Sequence, residues 1–361
     1  MANAVNSLLK YKSLSALYAE SGYNNQTPLL DAFFTNPSNV DTDEYDLFVD
    51  PADTTPAPLN RRDGAARSIG TDGLKQRRGV LFRTFNSQVF GSSVMQALQE
   101  PDSRNLDRKG VREITRQTLH FKQRHTVLKQ VVLSKILTAG TVYWNRQTGV
   151  VAESSDTANE AITFGVPAAN QTNLGGEITM NISNTSFDFW GLFAYVDDTS
   201  ASNNSAPVTD VWVHASHKEA IRNNLQFQKW AALAGQDAQA VLRGDMIEGM
   251  FGKNWHFVGQ KYTNASGSMA NLIPTSKLIL TPSPTDKSWY EAANGSTLVP
   301  TNLGMGGSAT DVLSQIQEVY GPFSYAKVRD NPVSIEQFAG DCFGLNFVDP
   351  NAIYQCTVTG Y

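Results

Sequence analysis

The chain has 361 residues, of which 41% are hydrophobic and 17% charged, and its formal net charge is −5. Such a chain can bury a substantial core, in one large domain or two to three small ones. The charge excludes a nucleic-acid binder acting by bulk electrostatics, and no apolar run approaches the roughly 20 residues that a membrane-crossing helix needs.

Residues 1–50 read as an arm. The opening MANAVNSLLKYKSLSALYAESG has neither the continuous apolar stretch nor the small-residue cleavage site of a secretory signal, so cytoplasmic synthesis is expected. A short helical signal spans about Val5 to Glu20, followed by a polar stretch broken by Pro28 and Pro37. Such a segment lacks the apolar area to fold alone and should be ordered only by docking elsewhere. DEYDLFVDP is extended and leads into Pro-rich PADTTPAPL.

A basic, glycine-punctuated β-hairpin follows, from about Asn60 to Phe90. It carries Arg61, Arg62, Arg67, Lys75, Arg77, Arg78 and Arg83 against only Asp63 and Asp72. Its two strands are expected to flank the turn Thr71-Asp72-Gly73, where glycine tolerates positive φ. The arm has three readings. It is a solvated arm, a nucleic-acid contact gaining from counterion release, or a subunit contact in which Arg pairs with carboxylates. The stretch from Asp41 to Asp53, with six Asp or Glu, is an acceptor in the same or a neighbouring chain.

Next comes one very long amphipathic helix, about Asp107 to Ala139. Asp107 is placed to cap the first turn. Val111, Ile114, Thr118, Phe121, His125, Leu128 and Val132 recur in steps of three and four, the spacing of one helical face. Gly140 supplies the stop. At 1.5 Å per residue the helix is roughly 50 Å long, a spine crossing a whole domain.

Beyond it, Thr141–Trp144, Val150–Ala152 and Ile162–Val166 read as strands and Phe187–Asp197 as helix. Residues 199–207 read as loop and Val211–Ala215 as strand. A helix from Ser216 is expected to be capped by the S-x-x-E box of Ser216 and Glu219. Trp255–Val258 and Lys277–Leu280 are further strands, residues 301–309 a flexible loop, and Gln337–Phe347 and Ala352–Thr359 the closing strands.

Chemistry is sparse. There is no phosphate-binding G-x-x-x-x-G-K-[ST] loop and no G-x-S-x-G elbow. His214 and His217 form the sole H-x-x-H, across a strand-to-helix turn where the spacing has no helical meaning. His125 falls on the apolar stripe and reads as a packed histidine. Cys342 and Cys356 have no zinc spacing and read as buried thiols, with a bridge as the alternative. No nucleophile, base or metal set is positioned for an enzyme, and no cofactor is implied.

The order of arm, basic hairpin, spine helix, strands, α/β segment and returning strands resembles the major capsid protein of tailed bacteriophages, most narrowly the lambda-type family. The segments carrying it are NRRDGAARSIGTDGLKQRRG, VLKQVVLSKILTAGTVYWNRQTGVV with AITFG, DVWVHASHKEAIRNN, NLIPTSKLILTPSPTDKSWYEAANG and SYAKVRDNPVSIEQFAGDCFGLNFVDPNAIYQCTVTG. The resemblance covers the chain from about Asp41 to the end. It implies an α+β capsid fold in four parts: an N-terminal arm over 1–54 and an extended β-hairpin loop over 55–90, both reaching over neighbours; a peripheral domain over 91–180 and 323–361, built on the spine helix 107–139; and an axial α/β domain over 181–322.

It further implies self-assembly into pentamers and hexamers of an icosahedral shell around double-stranded DNA. A scaffolding protein and a portal protein are the expected partners, a decoration protein an optional one, and the virion capsid is the location. Because the loop starts near residue 55, scaffolding is expected from a separate chain. Lys75 lies in the loop, but nothing activates it for cross-linking. Bacterial nanocompartment shells, which share the fold, are the alternative, with a DNA-binding protein using the basic hairpin behind them.

Overall fold

The computed structural model describes residues 11–20, 27–41, 44–49, 75–90, 104–156, 159–171, 179–233, 246–300, 316–330 and 333–360. In chain order the elements begin with α1 (Tyr11–Glu20), α2 (Pro28–Phe33), β1 (Ser38–Val40), β2 (Glu44–Val49), β3 (Lys75–Val80), β4 (Phe82–Phe90) and α3 (Arg104–Ala139). Next come β5 (Thr141–Asn145), β6 (Val151–Ala152), β7 (Asn159–Thr163), α4 (Ala168–Gln171), β8 (Thr179–Asn181), α5 (Phe189–Ser202) and β9 (Asp210–His214). Then follow α6 (Lys218–Arg222), α7 (Leu225–Leu233), β10 (Met246–Met250), β11 (Lys253–Val258), β12 (Lys261–Thr263), β13 (Met269–Asn271) and β14 (Lys277–Thr281). The chain closes with β15 (Tyr290–Pro300), β16 (Ile316–Tyr320), β17 (Phe323–Asp330), β18 (Val333–Phe347) and β19 (Tyr354–Thr359).

Two compact units emerge. The first comprises residues 1–45, 80–130 and 292–345, and the second 46–79, 131–291 and 346–361.

The first unit is built on a six-stranded sheet in the order β1-β15-β18-β17, with β16 on β15 and β4 on β18. β18 pairs antiparallel with β17, from Phe323 opposite Gly340 to Asp330 opposite Val333, and with β4, from Phe343 opposite Phe82 to Ile335 opposite Phe90. Side chains alternate faces along a strand. Ile335, Gln337, Ala339 and Asp341 accordingly share one face of β18, and all four are buried. Gly340 is required on the other face, because a Cβ there would lie 2.4 Å from the Phe323 ring and 2.6 Å from the Thr84 carbonyl oxygen.

The second unit is a six-stranded mixed sheet, β10-β11-β9-β14-β19-β8. β9 and β11 run parallel, and β14 runs antiparallel to both β9 and β19. Its core gathers Phe189 and Phe193 from α5, Phe227 from α7, and Phe251 and Trp255. The Phe189 ring lies 5.2 Å from Phe251 at 19° and 5.6 Å from Trp255 at 78°, the offset and edge-on geometries that ring quadrupoles favour. Smaller sheets are β6-β5-β7, β12-β13 and β2-β3.

The long helix is present and longer than the sequence implies. It starts at Arg104, so Asp107 sits inside the first turn rather than capping it. Its thirty-six residues span roughly 54 Å at 1.5 Å each. Gly140 ends it at φ +62°, a conformation that costs a residue with a Cβ. Near that end Val131, Val132, Leu133, Ser134, Ile136, Leu137 and Thr138 are all buried, as expected of a helix apolar on every side.

Other elements depart from the sequence reading. The turn 71–73, the strand before it and the loop 301–309 lie outside the described residues, as do residues 5–10 of the expected first helix. β3 pairs with β2, so the partner of this basic strand among the described residues is the acidic strand upstream. α5 runs on to Ser202, into the expected loop, and Asp188 caps it by accepting from the Gly191 N–H at 3.0 Å. Ser216 does not cap the next helix. His214 precedes a 3-10 turn over Ala215–His217 and its Nδ1 accepts from the Ser216 N–H, because the ring reaches the turn before any Ser-Glu box can form.

Candidate assembly surface

The residues named from the sequence fall into three groups. Arg61, Arg62 and Arg67 lie outside the described residues; Lys75, Arg77 and Arg78 lie on β3. Arg83 is exposed on β4, where its guanidinium donates to the Ser296 carbonyl of its own chain at 3.1 Å. On the spine, Ile114, Phe121 and Val132 are buried, Leu128 is half-buried, and Val111 occupies the same helix.

The described part of the N-terminal arm docks on its own chain. Leu14, Tyr18, Leu29 and Phe33 are buried, and Tyr18 packs with Phe121 and Ala339. Ser15 Oγ donates to the Ser324 carbonyl at 3.0 Å and accepts from the Ser324 N–H at 3.2 Å. Gln337 on β18 donates to Thr118 of α3 at 2.8 Å and to Ser324 Oγ at 3.2 Å. Tyr320 O–H donates to Asp41 Oδ1 at 2.5 Å, and Ser296 Oγ to the Asp41 carbonyl at 3.0 Å. The arm helix, the spine and the sheet of this unit are thus stitched by side chains that leave few buried polar groups unpaired, which low dielectric demands.

His125 is the hub. Tyr18 O–H donates to its Nδ1 at 2.5 Å, and its Nε2–H donates to Asn86 Oδ1 on β4 at 3.0 Å. That tautomer satisfies all three groups. Burial, aided by the nearby Lys129 charge, pushes the imidazole down from 6.5 to about 4, and burial with the Asp341 charge pushes the Tyr18 phenol up. The ring is therefore neutral when folded and charged in the unfolded chain between these two values. Its contribution is fully present above pH 6.5 and is lost as pH falls toward 4, amounting to about 3 kcal/mol over that window. We expect denaturant midpoints to fall over this window and to fall much less in His125→Gln. Equal pH slopes for the two proteins would contradict this role.

A second buried pair lies on the same spine. Lys129 Nζ stands 2.7 Å from Asp341 Oδ2, with side chains 14% and 4% exposed. It also sits 5.4 Å from the Phe34 ring and 5.1 Å from Phe343, so the cation is held by a carboxylate and two aromatic faces. Burial raises the Asp341 carboxyl even against the opposing pull of Lys129.

The opposite face of the sheet is an aromatic ladder across three strands. Tyr325 of β17 stacks on Phe338 of β18 at 4.9 Å, and Phe338 on Phe85 of β4 at 5.4 Å. Beside it Ser87 donates to Glu336 Oε1 at 2.7 Å. The ladder ends in the open: Phe85 is 57% exposed and Val89 46%.

In the second unit the described histidines hold turns and strand pairs. His214 and His217 have ring centroids 6.2 Å apart and serve the turn, with His217 Nε2 bonded to the Thr275 carbonyl at 2.8 Å. His256 pairs with Asp210 at 2.6 Å and stacks on Trp212 at 3.9 Å, which fastens β11 to β9. Among the described residues no group of three or more His, Cys, Asp or Glu is gathered as a metal site. Cys342 and Cys356 are buried thiols and are not joined by a disulfide.

Sequence reasoning missed most of this stitching. His125 and Thr118 were visible as polar residues on an apolar stripe. Tyr18, Asn86, Gln337 and Asp341 gave no signal, since their partners are distant in the chain.

No family model matches the sequence, and no curated protein matches it. Solved structures do. A chain described as a capsid protein of a prophage in E. coli CFT073 aligns over 97% of this chain and 99% of its own, at 12% identity and a TM-score of 0.58. A phage-related protein of Bordetella bronchiseptica RB50 covers 98% and 97%, at 10% identity and TM-score 0.49. The mature capsid of bacteriophage PhiM1 covers 95% and 90%, at 12% identity and TM-score 0.47. The chain therefore has the fold of the prophage protein along nearly its whole length, the mixed α+β capsid fold that the order of elements suggests.

Proposed function

We propose that this chain is a major capsid protein that assembles with copies of itself into the shell of a tailed bacteriophage. The observation carrying the reading is the near-complete two-way coverage of the prophage capsid structure, 97% and 99%. Likeness to a capsid structure along nearly the whole chain agrees with a structural role. In this reading the division into arm (1–54), extended loop (55–90), peripheral domain (91–180 and 323–361) and axial domain (181–322) describes how the subunit meets its neighbours. Pentamers and hexamers close an icosahedral lattice around double-stranded DNA in the virion, with scaffolding, portal and decoration proteins supplied by other chains. The lambda-type family is the narrower placement we favour.

The basic segment from Arg61 to Arg83 is the contact we assign to neighbouring subunits, together with the acidic strand β2. The mechanism is geometric: each loop adds contact area on a neighbour, so stability belongs to the lattice. Deleting Arg61 to Arg78 is expected to leave a folded subunit that no longer assembles, measured by circular dichroism and electron microscopy. Normal shells from the deletion would remove the loop from the account.

A further inference from the structure

Among the described residues, β4 presents an uncovered edge. Its strand partner among the described residues is β18. Five consecutive residues, Phe85 to Val89, are exposed. Neighbouring side chains point to opposite faces: Phe85, Ser87 and Val89 lie on the face of the aromatic ladder, and Asn86 and Gln88 on the face where Asn86 bonds to His125 of the spine, so what the stretch leaves open is its outer edge. Edge strands are normally guarded by Lys, Pro, inward charge or a bulge. Phe82–Phe90 contains no Lys, Pro, Asp or Glu, and its register with β18 runs without a bulge.

We propose that the Thr84–Phe90 edge pairs with the same edge of a second copy, antiparallel, about a twofold axis at Ser87. The sequence is self-complementary in that register. Phe85 falls opposite Val89, an aromatic and β-branched pair of the kind that stabilises antiparallel sheets. Asn86 falls opposite Gln88, two amides that can each donate and accept. Arg83 falls outside the paired stretch, so it does not face its own copy. The exposed side of Phe85, at the open end of the ladder, receives the partner's Val89. An isologous contact of this kind closes on itself, which matches one occupant and excludes a growing fibre. The pairing would arise in a soluble dimer; its use inside a shell rests on the capsid reading.

Disulfide trapping tests it. Directly opposed residues in antiparallel strands have Cα atoms about 4.5–5.5 Å apart, within disulfide range. Full-length S87C, oxidised in solution, is expected to shift from monomer to dimer mass on a non-reducing gel. V89C alone is expected to stay monomeric, because its copies would lie roughly 13 Å apart, whereas F85C mixed with V89C is expected to cross-link. The native thiols are buried and add no background.

Equal trapping of S87C and V89C, or no dimer from any folded variant, would overturn the proposal. V89K, which leaves the backbone intact, is expected to shift the sedimenting species of the otherwise unaltered protein to monomer, and an unchanged species would also overturn it. The two readings fail separately: shells formed by V89K would remove this edge from the lattice and leave the capsid reading. S87C dimers from a chain that never forms shells would support the edge and sink the capsid reading.

Discussion

Lys129→Ala is expected to lower unfolding free energy by about 3–5 kcal/mol at neutral pH, the loss seen when one partner of a buried ion pair is removed. The reason is asymmetry. Asp341 is only 4% exposed in its side chain, so without Lys129 a carboxylate is left in low dielectric with its main counter-charge gone. Its carboxyl, already raised by burial, rises further. The folded variant then keeps a proton that the unfolded chain releases above about 4, so its stability falls as pH rises through that range. The deficit against wild type should shrink toward acid pH. Urea midpoints of both proteins at several pH values would check this. A double replacement, Lys129→Met with Asp341→Leu, should recover most of the loss, since apolar pairs replace buried ion pairs at little cost. A loss below about 1 kcal/mol, the scale of an exposed pair, would contradict this account.

Trp255→Ala is expected to cost a similar 3–5 kcal/mol, through a cavity rather than a charge. The indole is fully buried, lies 5.6 Å from the Phe189 ring and 5.8 Å from Phe193, and donates to the Met250 carbonyl at 3.0 Å. Removing it leaves a void that rigid ring neighbours fill poorly and a carbonyl without that donor. Trp255→Phe should cost distinctly less, because it keeps most of the volume. Equal losses for the two substitutions, measured by chemical denaturation, would show that packing volume is not what this residue supplies.

How much of this was legible follows from the range over which each signal acts. The spine helix was legible because its periodicity is local: Ile114, Thr118, Phe121 and His125 announce one face by spacing alone. The closing strands, 337–347 and 352–359, were legible as two runs separated by a short break. Pairing partners were not. That β2 pairs with β3, and β4 with β18 some 250 residues on, depends on register that no local pattern encodes. The capping box at Ser216 was locally well formed, yet His214 reached the same N–H first. The Tyr18–His125–Asn86 chain joins residues 107 and 39 positions apart, and only the folded chain brings them together. Edge status was invisible too. FRTFNSQVF reads as any strand until the fold leaves one side of it open.

The central claim is self-assembly, and the most direct measurement is electron microscopy of the purified full-length protein with sedimentation to count subunits. The account predicts closed shells or capsomer rings, from the chain alone or when it is co-expressed with any scaffolding and portal genes encoded beside it. A folded chain that stays monomeric even with those neighbours present would contradict it.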